Sequence, residues 1–569
     1  LPRTQELTAR SGDRFEIWAK ARHETPRGST PFSVRIGDPT VYQIAHLPPY
    51  YDAFSYTHQS DQALTITWDE TLIEVSLFYR YNPQTVADTG VTFLEFGPDG
   101  LAAWPADRLS SWYEQDAGRP QLRFSPFKGW MNDPNGLCKV GDTYHLFYQY
   151  HPNGVDWGPM HWGHATSKDL YRWIHYPVFQ HPEANLAALG ATGGAFSGNA
   201  FFDRDGALSF YYTERLPAYD LFKDYKEVQK RMRPDKGLLK PVANALVLAD
   251  GPEGTTHDIR DPKVWYDNDA GLYRMVLGSA VDGDPAFLLY NSADGDNWDF
   301  ASILYRAPPH FRDGGARSAE CPDFFVIDGH WVLVAGFVGY TEAETGRHNL
   351  LYAVTGSFEN GVFTPYSDQL QELDFGTDYY AMQSFWDGER QLAFAWLFNW
   401  EIRKPAGSAY SGELSLPRLL TLDRQHRLLM NPEPGIAALR TCQLEAINQR
   451  YAPANGCAVE MSISGKLNGL TIICTSANGE TVTLTHSGDG LTLQLSEDDG
   501  RIAYRAACSN VTDIRLFFDR GVIELFANGG LICGTRRSYR VIDCASLWTS
   551  AETSASIEVW EHKSAWRSD

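Results

Sequence analysis

Three things are scarce in this chain of 569 residues. Apolar runs stop near ten residues, Trp331 to Tyr340 being among the longest, well short of the roughly 20 that a membrane span requires. Positive charge is short: 49 Lys and Arg against 71 Asp and Glu leave a net charge of −22, which argues against nucleic-acid backbones and anionic membrane surfaces as partners. Long Ala/Glu/Lys/Leu stretches are missing, so long helices are not expected. Catalytic and binding motifs of other chemistries are missing as well. There is no H-E-x-x-H, no Walker A loop, no G-x-S-x-G elbow and no C-x-x-C pair, and nothing calls for a metal ion or an organic cofactor.

Aromatics are plentiful. Seventeen Trp, 29 Tyr and 30 Phe make 13% of the chain, a composition foreign to disorder. With 49 Gly and 31 Pro, the chain reads as many short strands joined by turns, too long for one domain. Eight cysteines are uneven: Cys138 and Cys321 stand alone, while Cys442, Cys457, Cys474, Cys508, Cys533 and Cys544 crowd the last part. Disulfides of an exported protein and buried thiols of a reduced one both fit that pattern. The chain opens on Leu1 with no basic-then-apolar leader, which fits processing or trimming. A secreted or periplasmic location is the expectation.

Five segments of the middle region share one design, an acidic turn followed by an aromatic and branched strand. The turn residues Asp142, Asp205, Asp269, Asp328 and Asp387 are spaced by 63, 64, 59 and 59. A repeat of this kind with strand-turn-strand content predicts a five-bladed β-propeller, whose radial closure leaves few sheet edges exposed. The flanks alternate with period two. Ala63–Trp68 and Leu72–Phe78 read as strands of a half-buried sheet; 481–486 and 491–495, joined by a Ser-Gly-Asp-Gly turn, read as a hairpin. The predicted fold class is therefore all-β. An N-terminal β-sandwich-like domain spans 1–120, the propeller 121–430 and a C-terminal β-sandwich 435–569.

One polar residue precedes each acidic turn in phase with the repeat: Asp133, Ser197, Asp261, Glu320 and Gln383, with steps of 64, 64, 59 and 63. Equivalent propeller positions converge on the central channel. Three carboxylates in one funnel repel each other, and such a cluster should contain a raised pKa. Glycoside hydrolysis needs that arrangement, one carboxylate ionised beside one kept protonated. Singly, each of these residues is an ordinary turn former, and Asp313, Asp323 and Asp374 are left in that class. His161 and His164 read as histidines buried between aromatics, and Asp294-Gly295-Asp296-Asn297 as a turn.

Trp130-Met131-Asn132-Asp133-Pro134-Asn135-Gly136 resembles the N-terminal signature of glycoside hydrolase family 32, the invertases, levanases and inulinases. Arg260-Asp261-Pro262 and Glu320-Cys321-Pro322 are similar to the family's other two acidic motifs, in the expected order. Asp519-Arg520-Gly521 and the residues after it resemble a strand of its sandwich domain. The resemblance implies a five-bladed propeller followed by a sandwich, and hydrolysis with retention. Asp133 would be the nucleophile, Glu320 the acid and then the base, and Asp261 a transition-state stabiliser. Asn132, Gln149, Trp157, Ser197 and Arg260 would form the fructose-binding shell, with Phe196, Trp157 and Trp400 as apolar walls. Arg260 could serve mainly to pair Asp261, and Cys321 to pack.

Three functions fit these readings: a β-fructofuranosidase acting on sucrose, levan or inulin; a fructosyltransferase built from the same residues; and a non-catalytic carbohydrate-binding protein. The last is disfavoured because all three carboxylates are present. In the N-terminal region, where the resemblance is silent, Tyr50, Tyr51, Phe54, Tyr56, Phe78, Tyr79, Tyr81 and Trp104 suit either a sugar-binding module or a sandwich packed on the propeller. Strands alternate faces, so about half of these rings must point inward.

Overall fold

A computed structural model describes residues 2–24, 26, 28–217, 225–397, 400, 404–551 and 554–567. Five antiparallel sheets follow one another from Gly129 to Pro432, and the first strands of the five are Gly129–Val140, Gly194–Phe202, Arg260–Asp267, Ser318–Ile327 and Tyr380–Trp386. Each of these touches the next, and the fifth touches the first, so the five line a closed ring. The acidic turns seen in the sequence close the hairpin between the first and second strand of every sheet. One late piece of chain, Tyr410–Ser411, pairs in parallel with Gly129 and Trp130 on the first sheet.

The ladder between first and second strands slips at the same place in all five sheets. Register shifts fall between Met131 and Pro134, Ala195 and Gly198, Arg260 and Lys263, Glu320 and Asp323, and Tyr380 and Gln383. A bulge bends its strand and re-aims a side chain. Here it falls where the in-phase polar residues sit. Asp261, Cys321 and Ala381 adopt left-handed φ values of 64°, 50° and 52°, a conformation costly for residues with a Cβ and held only by the surrounding structure.

After the ring, two six-stranded sheets face each other across a core that includes Val459, Met461, Leu484, Leu493, Leu516 and Leu525. The hairpin Thr481–Ser487 with Gly490–Leu495 has its expected pairing. Charges seal this unit to the ring. Asp519 accepts from the backbone N of Gln121 (2.7 Å) and Leu122 (2.9 Å) and from Arg123 (2.5 Å), and Glu524 bridges Arg123 and Arg418. Asp374, read from sequence as a turn former, is instead part of that seam, accepting from the Thr535 backbone (2.7 Å) and hydroxyl (2.6 Å). Asp323 is also more than a turn residue. It is buried between sheets, 2.7 Å from both Lys263 Nζ and the Ser384 backbone N.

The N-terminal residues form a four-stranded and a five-stranded sheet around Phe15, Ile17, Phe32, Ile66, Trp68 and Phe78. Strand Ile73–Tyr81 buries Phe78 in that core and turns Leu77, Tyr79 and Tyr81 towards the ring. The Tyr79 hydroxyl donates to Glu16 and accepts from Val178 N at 2.9 Å, while Trp18 stacks on His181 at 5.5 Å and Phe93 on Phe127 at 4.2 Å. Of the eight rings named from the sequence, Phe78, Tyr79 and Tyr81 are buried as core and interface, Phe54, Tyr56 and Trp104 pack half-buried against the cores, and Tyr50 and Tyr51 are half-buried outside them. His161 and His164 are buried among aromatics as the sequence suggested, and Asp294 Oδ1 accepts from the backbone of Asp296 and Asn297 as a turn residue does. The eight cysteines are free thiols, five of them buried. Among the described residues no helix is long and apolar enough to cross a membrane.

Candidate active site

Asp133, Asp261 and Glu320 come from the first strands of the first, third and fourth sheets, each at its bulge. Asp133 accepts from Asn132 Nδ2 at 3.0 Å and Ser197 Oγ at 2.5 Å, and the thiol of Cys321 lies 3.7 Å away. The backbone N of that same Cys321 donates to Asp261 at 2.7 Å. The left-handed turn at Cys321 thus ties two carboxylates together. Asp261 is further fixed by its own N–H, which donates to Thr213 Oγ1 at 2.9 Å. Glu320 is held from both sides, by Arg260 Nη2 at 3.0 Å and by the Tyr380 hydroxyl at 2.6 Å.

Burial is the main force on Asp133 and Asp261. It raises the pKa of Asp133, against the hydrogen bonds from Ser197 and Asn132, with the Glu320 charge adding to the rise. Burial also pushes Asp261 up to about 7, opposed by Arg260 and reinforced by Asp133 and Glu320. Tyr380, buried beside Glu320, is raised well above its ordinary value and stays a proton donor in its hydrogen bond. Two glycines make room for this geometry. A Cβ on Gly336, the partner of Glu320 across the ladder, would stand 2.2 Å from the Tyr380 hydroxyl; one on Gly278, opposite Arg260, would meet Ala319 O at 2.5 Å.

Arg260 does not mainly pair Asp261. Its contact there is 3.9 Å, whereas Asp258 lies at 2.7 Å and Glu320 at 3.0 Å, with Glu227 at 3.4 Å behind. Gln149 is buried and donates to Ala195 O at 2.8 Å. With the Asn135 amide turned to suit its neighbours, a chain runs from Gln149 through Asn135 to Ser197 and so to Asp133. Asn132 is buried too, accepting from Trp130 Nε1 at 2.8 Å. Trp157 lies edge-on to Phe196 (6.1 Å) and Trp400 (6.3 Å), and Trp400 stacks on Trp130 at 5.5 Å with 47% of its surface open. Those rings form one wall. Gln383 is the exception among the in-phase residues: it crosses the channel to donate to Gly198 O at 2.9 Å.

Residues 123–432 match the model of the glycosyl hydrolases family 32 N-terminal domain, and 464–561 match that of the family 32 C terminal. The chain belongs to glycoside hydrolase family 32. This family 32 enzyme is 30% identical to a raffinose invertase of Escherichia coli over 80% of this chain and 95% of that one. It is 30% identical to a sucrose-6-phosphate hydrolase of the same organism (79% and 94%) and 33% identical to a levanase of Bacillus subtilis (62% and 52%). A solved family 32 structure from Bifidobacterium adolescentis shares its fold over 99% of this chain and 100% of that one, with a TM-score of 0.87 at 22% identity. That neighbour extends the shared fold through the N-terminal sheets.

Tyr380, Thr213, Asp258 and Glu227 were not singled out in the sequence. Tyr380 lies three residues before the in-phase Gln383, and that offset from the repeat is the signal that pointed away from it.

Proposed function

We propose that this glycoside hydrolase cleaves β-fructofuranosidic bonds, in sucrose or in fructans, with retention through a covalent fructosyl-enzyme. The reading takes the ring of five sheets as a five-bladed β-propeller and the paired six-stranded sheets as a β-sandwich. One observation carries it: carboxylates from three sheets meet around Cys321, which contacts both Asp133 and Asp261 next to Glu320. Asp133 attacks C2 of the fructosyl unit while the C2–O bond breaks and the Glu320 proton goes to the departing oxygen. Glu320 then takes a proton from water, whose oxygen attacks C2 and releases Asp133. Asp261 accepts hydrogen bonds from fructose hydroxyls, and the aromatic wall of Trp157, Phe196 and Trp400 covers the apolar face of the sugar. The invertase and levanase names of the relatives support this substrate class.

The test is a trapping experiment on Glu320→Gln, which lacks both the acid and the base. A fructosyl donor with a fluoride leaving group needs no proton, so the first step proceeds while the second stalls. Quenched enzyme is expected to carry a fructosyl adduct on the peptide containing Asp133. Absence of the adduct, or its appearance on another side chain, removes Asp133 from the nucleophile role.

A further inference from the structure

The opposite end of the ring holds a second cavity, of about 760 Å³. All five first strands contribute to it, at the ends away from the carboxylates: Leu137, Phe202, Val264, Val326 and Trp386 lie on its lining. At about 3.3 Å per residue, these positions stand roughly 10–20 Å along the strands from Asp133, Asp261 and Glu320. Cross-channel bonds lie between the two, from Gln383 to Gly198 O (2.9 Å) and from Lys263 Nζ to Ser384 O (2.8 Å) and Asp323 (2.7 Å). The cavity is therefore separate from the proposed active site.

Its surface is unusual for a place with no assigned use. Trp386 is 60% exposed, Val326 46% and Phe202 43%, on a floor of Trp265, Phe324 and Trp331 whose rings pack within 4.6–5.5 Å of one another. Contiguous exposed apolar surface on a folded chain marks a binding site, and the volume falls within the usual range for small ligands. Polar groups interrupt the apolar surface, with Asn268 and Asp269 on a turn of the third sheet and Gln391 on the fifth. Asp203, Asp267 and Asp269 share the lining with Arg204 and Lys263, and Asp267 is paired with Arg274 and Lys263 with Asp323, so the charges nearly balance and favour no strongly charged ligand. Open rings next to hydroxyl-seeking amides and carboxylates match a neutral molecule with C–H faces and hydroxyl edges.

We infer that this cavity is a second saccharide site, in which Trp386 stacks on a sugar ring of an oligosaccharide while Asp269 and Asn268 take its hydroxyls. A chain held there is anchored on the face away from cleavage. The site raises the local supply of polymer without touching the bond that breaks. Fructan as the occupant rests on the proposed function; the saccharide chemistry of the cavity does not.

The experiment titrates Asp133→Asn, which cannot turn over, with a five-unit inulin oligosaccharide by calorimetry, and repeats it on Asp133→Asn/Trp386→Ala. Trp386 is on the surface, and its replacement leaves the core intact. The expected result is one binding site fewer per chain in the double variant, with Trp386→Phe restoring it. A count that does not change overturns the inference, as does self-association of the chain that depends on Trp386. If the proposed fructosidase reading fails instead, the Trp386-independent site is the one that goes missing. In otherwise wild-type enzyme, Trp386→Ala is expected to raise the half-saturating concentration of inulin several-fold and to leave that of sucrose unchanged.

Discussion

At the scale of single residues, the site is governed by the cost of keeping charge out of water. Asp261 has an ordinary carboxyl value of 3.8 when unfolded and is pushed up to about 7 when folded. The native chain therefore binds the proton more tightly than the unfolded one between roughly pH 4 and 7, and stability falls as pH rises through that window. Asp261→Asn removes the buried charge. Its thermal midpoint is expected to rise at pH 7.5, by a stabilisation of order 2–4 kcal/mol, and to stay near wild type at pH 4, while turnover is lost. An equal shift at both pH values would assign the gain to packing and not to charge. The three acidic residues were legible in the sequence because they recur in phase. The partners that tune them were not: Tyr380 and Thr213 reach the site from beside the repeat positions, and nothing in a tripeptide says which neighbour a closed ring will bring.

At the scale of elements, hairpins were legible and bulges were not. An acidic residue or glycine between two aromatic strands is a local signal, so each Asp-led turn fell where expected. A register slip depends on how a strand fits its neighbours around the ring, and only the structure shows one in all five sheets. The bulge in the fourth sheet works with Gly336 to let Tyr380 reach Glu320. Gly336→Ala places a methyl where the phenol lies, forcing Tyr380 away from the carboxyl or splaying the fourth and fifth sheets. The expected outcome is a fall in kcat of about 10-fold or more with a displaced pH profile and little change in KM, since orientation of the acid is lost while the sugar pocket stays. A pure KM effect would place Tyr380 in substrate binding.

At the scale of the whole molecule, three β units share buried surfaces. The sequence separated them by a change of period, from a repeat of about 60 residues to plain alternation, but it could not show how they dock, because buried pairs such as Arg123 with Asp519 join residues far apart in the chain. The N-terminal sheets show the consequence. Removing residues 1–118 uncovers Phe127, Val178, His161 and His181, now covered by Phe93, Tyr79 and Trp18. The truncated chain is expected to unfold at a lower temperature, to aggregate, and to lose activity on sucrose as well as on polymer. A soluble, equally stable truncation impaired only on fructan would restore the sugar-binding reading of those rings.

The short parallel pairing of Tyr410–Ser411 with Gly129–Trp130 joins residues about 280 apart in the chain. Such a contact sets an order of events during synthesis. The first sheet is made early, yet it waits with an unpaired edge until the chain beyond residue 411 has left the ribosome. Until then the strand bearing Asp133 is held by its hairpin partner alone, and the nascent chain carries an open sheet edge that invites wrong partners. The edge beside the Asp133 strand can close only once the chain has been made past residue 411.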